Sequence, residues 1–203
     1  MTKEEKTELR NAKIKARNLA SLYKQNKKAM QLTDLDVNNS KTPKLDHYLD
    51  DEHMLHPVNL YRWMEKNIKY KHPSNWTLQT AQETFEKGTG DCHDQTLFEY
   101  KSFKKFWGNK YHPMCFFMIT PTGSHTHSFL IYYDRGKYYW FEHAWEKHKG
   151  IIYSCESLKE LKEIVLSKFC KQYGGDPKNT FIGRWKTYQT GLDLKTFCNL
   201  QVG

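Results

Sequence analysis

Apolar side chains recur every three or four positions in five stretches of this chain, the spacing at which a helix buries one face. The first stretch covers residues 3–30 without a glycine or a proline and predicts a long amphipathic helix. The other four predict shorter helices over about 57–69, 77–87, 94–106 and 157–171. The expected N-caps and glycine ends of these shorter helices are Thr77, Ser157, Gly88, Gly108 and Gly174.

A second pattern, short runs rich in aromatic and β-branched residues, occupies the middle of the chain and predicts strands. The three runs are Cys115–Ile119, Ser128–Tyr133 and Lys137–Phe141. Turn-forming residues separate them at 121–124 and 134–136. A helix followed by consecutive antiparallel strands indicates an α+β fold. The C-terminal residues beyond the last predicted helix carry only weak signals.

Length and composition predict one main domain preceded by an extension. With 203 residues the chain can bury a substantial core. Residues 32–44 have the polar, turn-forming composition of a connector. We therefore expect a basic helical extension and linker over 1–44 and a single folded domain over 45–203.

Basic residues are concentrated near the N-terminus. The net charge is +9, and residues 1–28 contain nine Lys and Arg against three Glu. This segment could bind nucleic acid or another polyanion, or it could be the solvated face of a helix. Charge alone does not choose between the two interpretations.

Hydropathy and the N-terminal sequence favour a cytoplasmic protein without a membrane span. No apolar run approaches the roughly 20 residues needed to cross a bilayer. The N-terminal residues lack the apolar core of a secretory signal. The five cysteines are an odd number without a Cys-x-x-Cys pair, so we expect reduced thiols and neither a disulfide framework nor a thiolate zinc site.

One cysteine occupies a special place, directly after a glycine-rich turn and at the start of a predicted helix. The sequence there is Gly88-Thr-Gly-Asp-Cys92-His-Asp94. The N–H groups and dipole of a helix N-terminus stabilise a thiolate, so Cys92 is a candidate nucleophile with a lowered pKa. Its polar neighbours Asp91, His93 and Asp94 are expected to cap and charge-balance the helix start.

The turn between the last two predicted strands decides which side chains share a face with His127. A two-residue loop at Arg135 and Gly136 makes His127 the diagonal neighbour of Glu142, within reach of a hydrogen bond. A three-residue loop would instead set His143 opposite His127. Arginine disfavours the positive φ of a tight hairpin turn, so local chemistry leaves both registers open.

Cys, His and a carboxylate can form a catalytic triad. Cys92 would attack a carbonyl carbon, His127 would take the thiol proton, and Glu142 would orient the imidazole. His125 shares a strand face with His127 and could serve as the base instead.

The oxyanion of such a reaction needs two donors. One would be the backbone N–H of Cys92. Candidates for the second are Trp76, Gln79 and Gln82. Aromatic residues around the predicted hairpin, Trp140 among them, could line a substrate groove or could simply form strand core.

These residues resemble the transglutaminase-like superfamily of papain-related cysteine enzymes. The resemblance covers about Trp76–Trp145 and rests on the Gly-Thr-Gly-Asp-Cys turn opening a helix, on His127 entering a strand, and on an acid ending the next strand. It implies that Cys92 is the nucleophile, His127 the base, and Glu142 the residue at a position where the family more often has Asp.

Members of this superfamily include protein crosslinkers, deamidases, peptidases and peptide N-glycanases. The resemblance thus implies a cysteine hydrolase or acyltransferase that acts on an amide carbonyl of a protein or peptide, without a cofactor. Fold and triad do not select among these substrates.

Two other hypotheses use the same chain differently. A zinc-dependent hydrolase could take its ligands from the His-x-His strand together with Cys92, Glu142 or His143. Alternatively, the protein could be a non-catalytic binding module whose basic N-terminal helix contacts nucleic acid.

Overall fold

The structure, a computed structural model, describes residues 56–72, 77–186, 188 and 190–202. The helix expected over 3–30, the extension over 1–44 and the candidate Trp76 lie outside these residues. In chain order the elements are α1 (Pro57–Asn67), β1 (Lys69–Tyr70), α2 (Ala81–Lys87), β2 (Thr89–Gly90), α3 (Cys92–Trp107), β3 (Met114–Ile119), β4 (Thr126–Asp134), β5 (Lys137–Phe141), β6 (Tyr153–Cys155), α4 (Leu158–Tyr173), β7 (Phe181–Arg184) and α5 (Leu194–Val202).

A five-stranded sheet in the order β6-β5-β4-β3-β7 forms the centre of the fold, and every pairing in it is antiparallel. Helices pack on both of its faces. The fold is therefore mixed α+β with an antiparallel sheet, as the sequence predicted.

Alternation along the strands divides the core between the two faces of the sheet. One face packs against α3 and is formed by Leu97, Phe98, Phe103, Phe117, Leu130, Tyr132 and Phe141. The other face packs against α4 and is formed by Phe116, Met118, Phe129, Ile131, Trp140, Leu161, Val165 and Phe169. Each fully buried phenylalanine contributes about 1.5–3 kcal/mol of transfer free energy, so both faces anchor the central strands.

The helix ends lie at the predicted capping residues, except at the start of α2. Gly88, Gly108 and Gly174 are C-caps, and Ser157 is the N-cap of α4, as predicted. The N-cap of α2, however, is Thr80 and not Thr77. Thr80 and Glu83 form a reciprocal capping box, with Glu83 N donating to Thr80 Oγ1 at 2.9 Å and Thr80 N donating to Glu83 Oε2 at 2.7 Å.

The β4–β5 hairpin has the two-residue loop. Asp134 pairs with Lys137 and Tyr133 with Tyr138. Arg135 and Gly136 both have positive φ, 46° and 84°, as a type I′ turn requires. Strand pairing on both sides of the hairpin holds Arg135 in a conformation that its local preference disfavours.

A short parallel pair of strands lies directly before α3, the helix that begins at Cys92. β1 pairs with β2, with Tyr70 opposite Gly90. Backbone hydrogen bonds from Lys69 N to Gly88 O (2.9 Å) and from Lys71 N to Gly90 O (3.1 Å) tie the end of α1 to the glycine turn. This pairing joins residues that lie far apart in the sequence, and periodicity did not predict it.

The C-terminal part contains elements that the sequence signals missed. The strands β6 and β7 form the two edges of the sheet, and α5 packs Phe197 into the core beside Trp185 and Tyr188. Among the described residues, no helix has the length and apolar character needed to span a membrane.

Candidate active site

Two buried acids fix the start of α3. Asp91 is the N-cap, and its Oδ1 accepts hydrogen bonds from His93 N at 2.8 Å and Asp94 N at 3.1 Å. The two acids form a reciprocal capping box, since Asp94 Oδ2 accepts a hydrogen bond from Asp91 N at 3.2 Å. Cys92 is thus the first helical residue, and N–H groups of a first turn have no acceptor within the helix.

Asp94 also anchors the segment before α2. Its Oδ1 accepts from Gln79 N at 2.8 Å and from Tyr188 Oη at 3.3 Å, and its Oδ2 accepts from Gln79 Nε2 at 2.9 Å. Burial raises the pKa of the carboxyl groups of both Asp91 and Asp94, and the Asp91 charge adds to the rise at Asp94.

The glycine at position 90 is required by packing. A Cβ there would lie 2.8 Å from the Cβ of Asp94, closer than real side chains approach. Its carbonyl oxygen accepts a hydrogen bond from Gln95 Nε2 at 2.8 Å, and both Asp94 and Gln95 are fully buried. The turn can therefore place Cys92 at the start of α3 only if residue 90 has no side chain.

Cys92 itself is a free thiol with 5% of its surface exposed. Burial, reinforced by the Asp91 charge, raises the pKa of its thiol well above the ordinary value, although a hydrogen bond from the backbone N–H of Ser128 opposes the rise. The sequence predicted a lowered pKa from the helix N-terminus. In the folded protein desolvation outweighs that effect, so the resting sulfur is protonated.

His127 and Glu142 form a buried hydrogen-bonded pair. Nε2 of His127 lies 2.8 Å from Oε2 of Glu142. The same oxygen accepts from Trp140 Nε1 at 3.1 Å, and Oε1 accepts from Trp145 N at 2.8 Å. Both carboxylate oxygens are therefore held, and the contact at Nε2 leaves Nδ1 of the imidazole to exchange a proton.

The pair lies beside the start of α3. Ser128, which donates its N–H to the Cys92 sulfur, directly follows His127 on β4. The residues on either side of the cysteine, Asp91 and His93, both interact electrostatically with His127. The structure thus brings the three predicted triad residues into one region, at the end of the sheet where α3 begins.

His93 joins the helix to the strand. Its Nδ1 lies 2.6 Å from Ser128 Oγ, which also accepts from Trp185 Nε1 at 3.1 Å. Burial lowers the pKa of His93 to about 3, so this imidazole is neutral. Beyond the capping role expected from the sequence, His93 fixes the distance between α3 and β4.

The alternative base, His125, lies apart from the acid. It is exposed, and its ring stacks on Tyr173 with centroids 4.6 Å apart. The imidazole that contacts Glu142 is that of His127.

His143 faces the opposite side of the sheet and is a buried anchor that sequence reasoning did not identify. Its Nδ1 lies 2.7 Å from Gln95 Oε1, and its Nε2 lies 4.0 Å from Glu65 Oε2. Burial, followed by the positive charge of Lys149, lowers the pKa of His143 to about 4. Its position next to Glu142 in the sequence gave no hint of this role.

The glutamines proposed as oxyanion donors are engaged elsewhere. Gln79 Nε2 donates to Asp94 Oδ2 at 2.9 Å and to Thr89 O at 3.3 Å. Gln82 Nε2 donates to Glu86 Oε1 at 3.0 Å on the exposed side of α2. These contacts argue against both as the second donor, because each side-chain amide already donates to another acceptor.

Trp140 lies beneath the acid and does not line the approach to the thiol. It is 3% exposed and packs against Phe129, Trp145 and Tyr153. The groove role considered for it from the sequence is replaced by a structural one, because its indole N–H holds Glu142.

Two tyrosines that the sequence did not single out lie near the thiol. Tyr70 of β1 and Tyr173 at the end of α4 both interact electrostatically with Cys92. They approach it from different elements, one beside the glycine turn and one beside His125. No local sequence signal marks either residue, since both positions depend on long-range packing.

The zinc hypothesis finds no ligand cluster in the part of the chain that the structure describes. Within residues 56–72 and 77–202, apart from the undescribed positions, no three His, Cys, Asp or Glu side chains are grouped so that they could hold one ion. The polyanion hypothesis concerns residues 1–28, which lie outside the described part.

Comparison with protein-family models finds no match for this chain, and comparison with curated protein sequences finds none either. Interpretation of the site therefore depends on its own geometry.

Proposed function

We propose that this protein is a cysteine-dependent hydrolase or acyltransferase with a transglutaminase-like core, acting on an amide or ester carbonyl through a thioester. Cys92 is the nucleophile, His127 the general base and Glu142 the residue that orients the base. The observation that carries the proposal is the buried 2.8 Å contact between His127 and Glu142 beside a cysteine that opens a helix.

The reaction follows from these positions. Nδ1 of His127 takes the thiol proton as the sulfur attacks the carbonyl carbon, so that a C–S bond forms and the carbonyl electron pair moves onto oxygen. The oxyanion then collapses and the C–N or C–O bond to the leaving group breaks. His127 returns its proton to a departing amine. Water or an amine next attacks the thioester and regenerates the thiol.

Because the resting thiol is protonated, general-base catalysis is a better description of the mechanism than attack by a pre-formed thiolate. Burial and the neighbouring acids disfavour charge on the Cys92 sulfur. The contact with Glu142 orients the imidazole of His127 and leaves Nδ1 to accept the thiol proton, so proton transfer can accompany attack. The negative charge then moves from sulfur to the carbonyl oxygen, where N–H donors at the helix start can stabilise it.

The fold supports the proposal at the level of architecture. A helix that begins with the nucleophile packs on an antiparallel sheet, the base enters β4 and the acid directly follows β5. This arrangement resembles the core of transglutaminase-like enzymes, whose known reactions imply a protein or peptide substrate. Whether water or an amine resolves the thioester depends on how the bound substrate excludes water.

Acetylation by p-nitrophenyl acetate tests the proposal without knowledge of the substrate. We expect a burst of p-nitrophenolate with an acetyl group on the Cys92 peptide by mass spectrometry. Cys92→Ala should abolish this modification, and His127→Ala should slow it by about 10²-fold or more. Cys155→Ala and His125→Ala are matched controls and should acetylate as the parent does. Equal acetylation of the parent and His127→Ala would contradict the proposal.

A second experiment distinguishes hydrolysis of the thioester from acyl transfer to an amine. When hydroxylamine or glycine ethyl ester is added to the acetylated protein, an acyltransferase forms the acetylated amine at low amine concentration, whereas a hydrolase releases mainly acetate. Either result is compatible with the thioester mechanism and refines it.

A further inference from the structure

We propose that the hydroxyl of Tyr70 is the second donor to the oxyanion, opposite the backbone N–H of Cys92. This inference rests on the proposed function, because an oxyanion forms only if Cys92 attacks a carbonyl. It assigns a catalytic contact to a residue that no sequence motif identifies.

Strand pairing places Tyr70 beside the nucleophile. Tyr70 lies opposite Gly90 in the parallel β1–β2 pair, two residues before Cys92. Neighbouring strands lie about 4.8 Å apart, and a tyrosine hydroxyl reaches about 6.5 Å from its own Cα, so the phenol can extend across the turn to the helix start. The backbone hydrogen bond from Lys71 N to Gly90 O, 3.1 Å, holds the two strands in this register.

Tyr70 is accessible to a ligand, unlike the buried thiol. It is 47% exposed, whereas Cys92 is 5% exposed. A bound substrate can therefore contact the phenol without a rearrangement of the core.

The chemistry of this hydroxyl suits a donor. Tyr70 interacts electrostatically with Cys92 and with Asp91, which caps the nucleophile helix. Although the residue as a whole is half-exposed, desolvation of its hydroxyl end, followed by the proximity of Cys92, raises the pKa of the phenol, so it keeps its proton at neutral pH. Its present partner is His72 Nε2 at 3.4 Å, a distance at the long end for a hydrogen bond. A carbonyl oxygen that becomes negatively charged would compete well for that proton.

Other donors near the thiol are less well placed. The amide hydrogens of Gln79 and Gln82 are bound to Asp94, Thr89 and Glu86. Tyr173 also interacts with Cys92, but its ring stacks on Trp145, which packs against His127 on the base side of the site. Tyr70 interacts with Glu142 as well, but its interactions with Cys92 and Asp91 are stronger, and its strand is paired with the residues directly before the helix start.

The experiment compares two reactions of the same thiol. Attack on p-nitrophenyl acetate develops an oxyanion, whereas alkylation by iodoacetamide displaces iodide from a saturated carbon and develops none. Loss of an oxyanion donor typically lowers the rate by about 10²- to 10³-fold. We expect Tyr70→Phe to slow acetylation of Cys92 by at least 10-fold and to leave its alkylation rate within about twofold of the parent.

Tyr173→Phe is the matched control, since it removes a phenol hydroxyl that also interacts with the thiol but belongs to a ring stacked on Trp145 at the base side. Its acetylation rate should stay within about threefold of the parent, well below the loss expected of a missing oxyanion donor. Because both substitutions remove a single oxygen, circular dichroism and thermal melting should match the parent and exclude misfolding.

Several outcomes would overturn the inference. Equal loss of both reactions in Tyr70→Phe would show that Tyr70 controls access to the thiol and not the oxyanion. Parent-like acetylation in Tyr70→Phe, or a selective loss in Tyr173→Phe or Trp76→Phe instead, would assign the donor elsewhere. Each of these leaves the proposed function intact, whereas acetylation that persists in Cys92→Ala would remove the proposed function itself.

Discussion

The imidazole of His127 and the carboxylate of Glu142 meet at 2.8 Å across a hairpin, although 15 residues separate them in the sequence. The contact is buried and the carboxylate has two further donors, the Trp140 indole and the Trp145 backbone N–H. A charge-assisted hydrogen bond in such surroundings is short and strong, and it fixes which ring nitrogen remains for proton transfer.

Replacement of Glu142 by glutamine tests the value of this contact. Glu142→Gln keeps the size of the side chain but replaces the carboxylate that contacts the imidazole by an amide. We expect the acetylation rate of Cys92 to fall by about 10²- to 10⁴-fold. Glu146→Gln, at an exposed position on the following loop, should leave the rate unchanged. Equal rates in the parent and Glu142→Gln would show that the acid has no part in the reaction.

We expect the Cys92 thiol of the folded protein to titrate at a higher pH than an ordinary thiol. Because burial and the Asp91 charge raise the pKa of Cys92, alkylation of its peptide by iodoacetamide should reach half its maximal rate above the ordinary thiol value of about 8.5. In urea the same peptide should titrate near the ordinary value. The measurement is peptide-resolved mass spectrometry over a pH series. A midpoint below 7 in the folded protein would mean a stored thiolate and would contradict the protonated resting state.

Stability should decline in mild acid because two histidines are buried without charge. The pKa values of His93 and His143, about 3 and about 4, lie below the ordinary value of about 6.5. Between these values the unfolded chain binds more protons than the folded one. The two neutral histidines therefore contribute their full stabilisation of the fold above about pH 6.5, and this contribution is lost progressively as the pH falls towards about 4. For each histidine the free energy of unfolding falls by up to about 1.4 kcal/mol per pH unit.

A variant isolates the contribution of His143. His143→Gln retains a group that can donate to Gln95 Oε1 but does not titrate. Urea unfolding at pH 7.5 and 5.0 should show a smaller loss of unfolding free energy for this variant than for the parent. The comparison also cancels the buried acids Asp91 and Asp94, whose raised pKa values act in the opposite direction. An identical loss in both proteins would show that His143 has the same pKa in the folded and unfolded states and would contradict the lowered value.

The turn before Cys92 should not tolerate a side chain. In Gly90→Ala the new Cβ would meet Asp94 Cβ at 2.8 Å, so the capping acid must move. We expect a loss of about 1–3 kcal/mol in unfolding free energy and slower acetylation, because the helix start carries the nucleophile. Thr89→Ala, one position earlier, adds no atom and serves as the control. Parent-like stability and acetylation in Gly90→Ala would show that the capping acid can move without harm.

Local sequence signals predict most of the main helices and strands. Helical spacing and glycine ends located α1, α3 and α4, and alternation in the middle of the chain located β3, β4 and β5. These signals work because a helix or strand must bury one face wherever it packs. Helical spacing alone predicts Thr77 as the N-cap of α2, but the helix begins at the capping box of Thr80 and Glu83, which satisfies two backbone N–H groups.

The partner of His127 could not be chosen from the sequence alone. The turn Arg135-Gly136 is ambiguous by local preference, and one extra loop residue would have set His143 opposite His127. Strand pairing settled the register, since it places aromatic residues of β4 and β5 on matching faces and sets Tyr133 opposite Tyr138.

Two features of the site depend wholly on the tertiary structure. The thiol pKa rises because packing removes Cys92 from water, an effect that a helix start seen in isolation would not show. Tyr70 comes beside Cys92 only because β1 pairs with β2, and neither strand has a pattern of its own.

The sequence by itself determined the α+β class, the order of the main helices and strands, and a short list of candidate catalytic side chains that contains Cys92, His127 and Glu142. Periodicity and turn chemistry act over a few residues, so they can be read without the fold. Only the tertiary structure decided which of these side chains meet, which are buried away from water, and that the strand carrying Tyr70 pairs with the turn before Cys92. Those properties depend on contacts between residues distant in the sequence, and such contacts exist only once the sheet has formed.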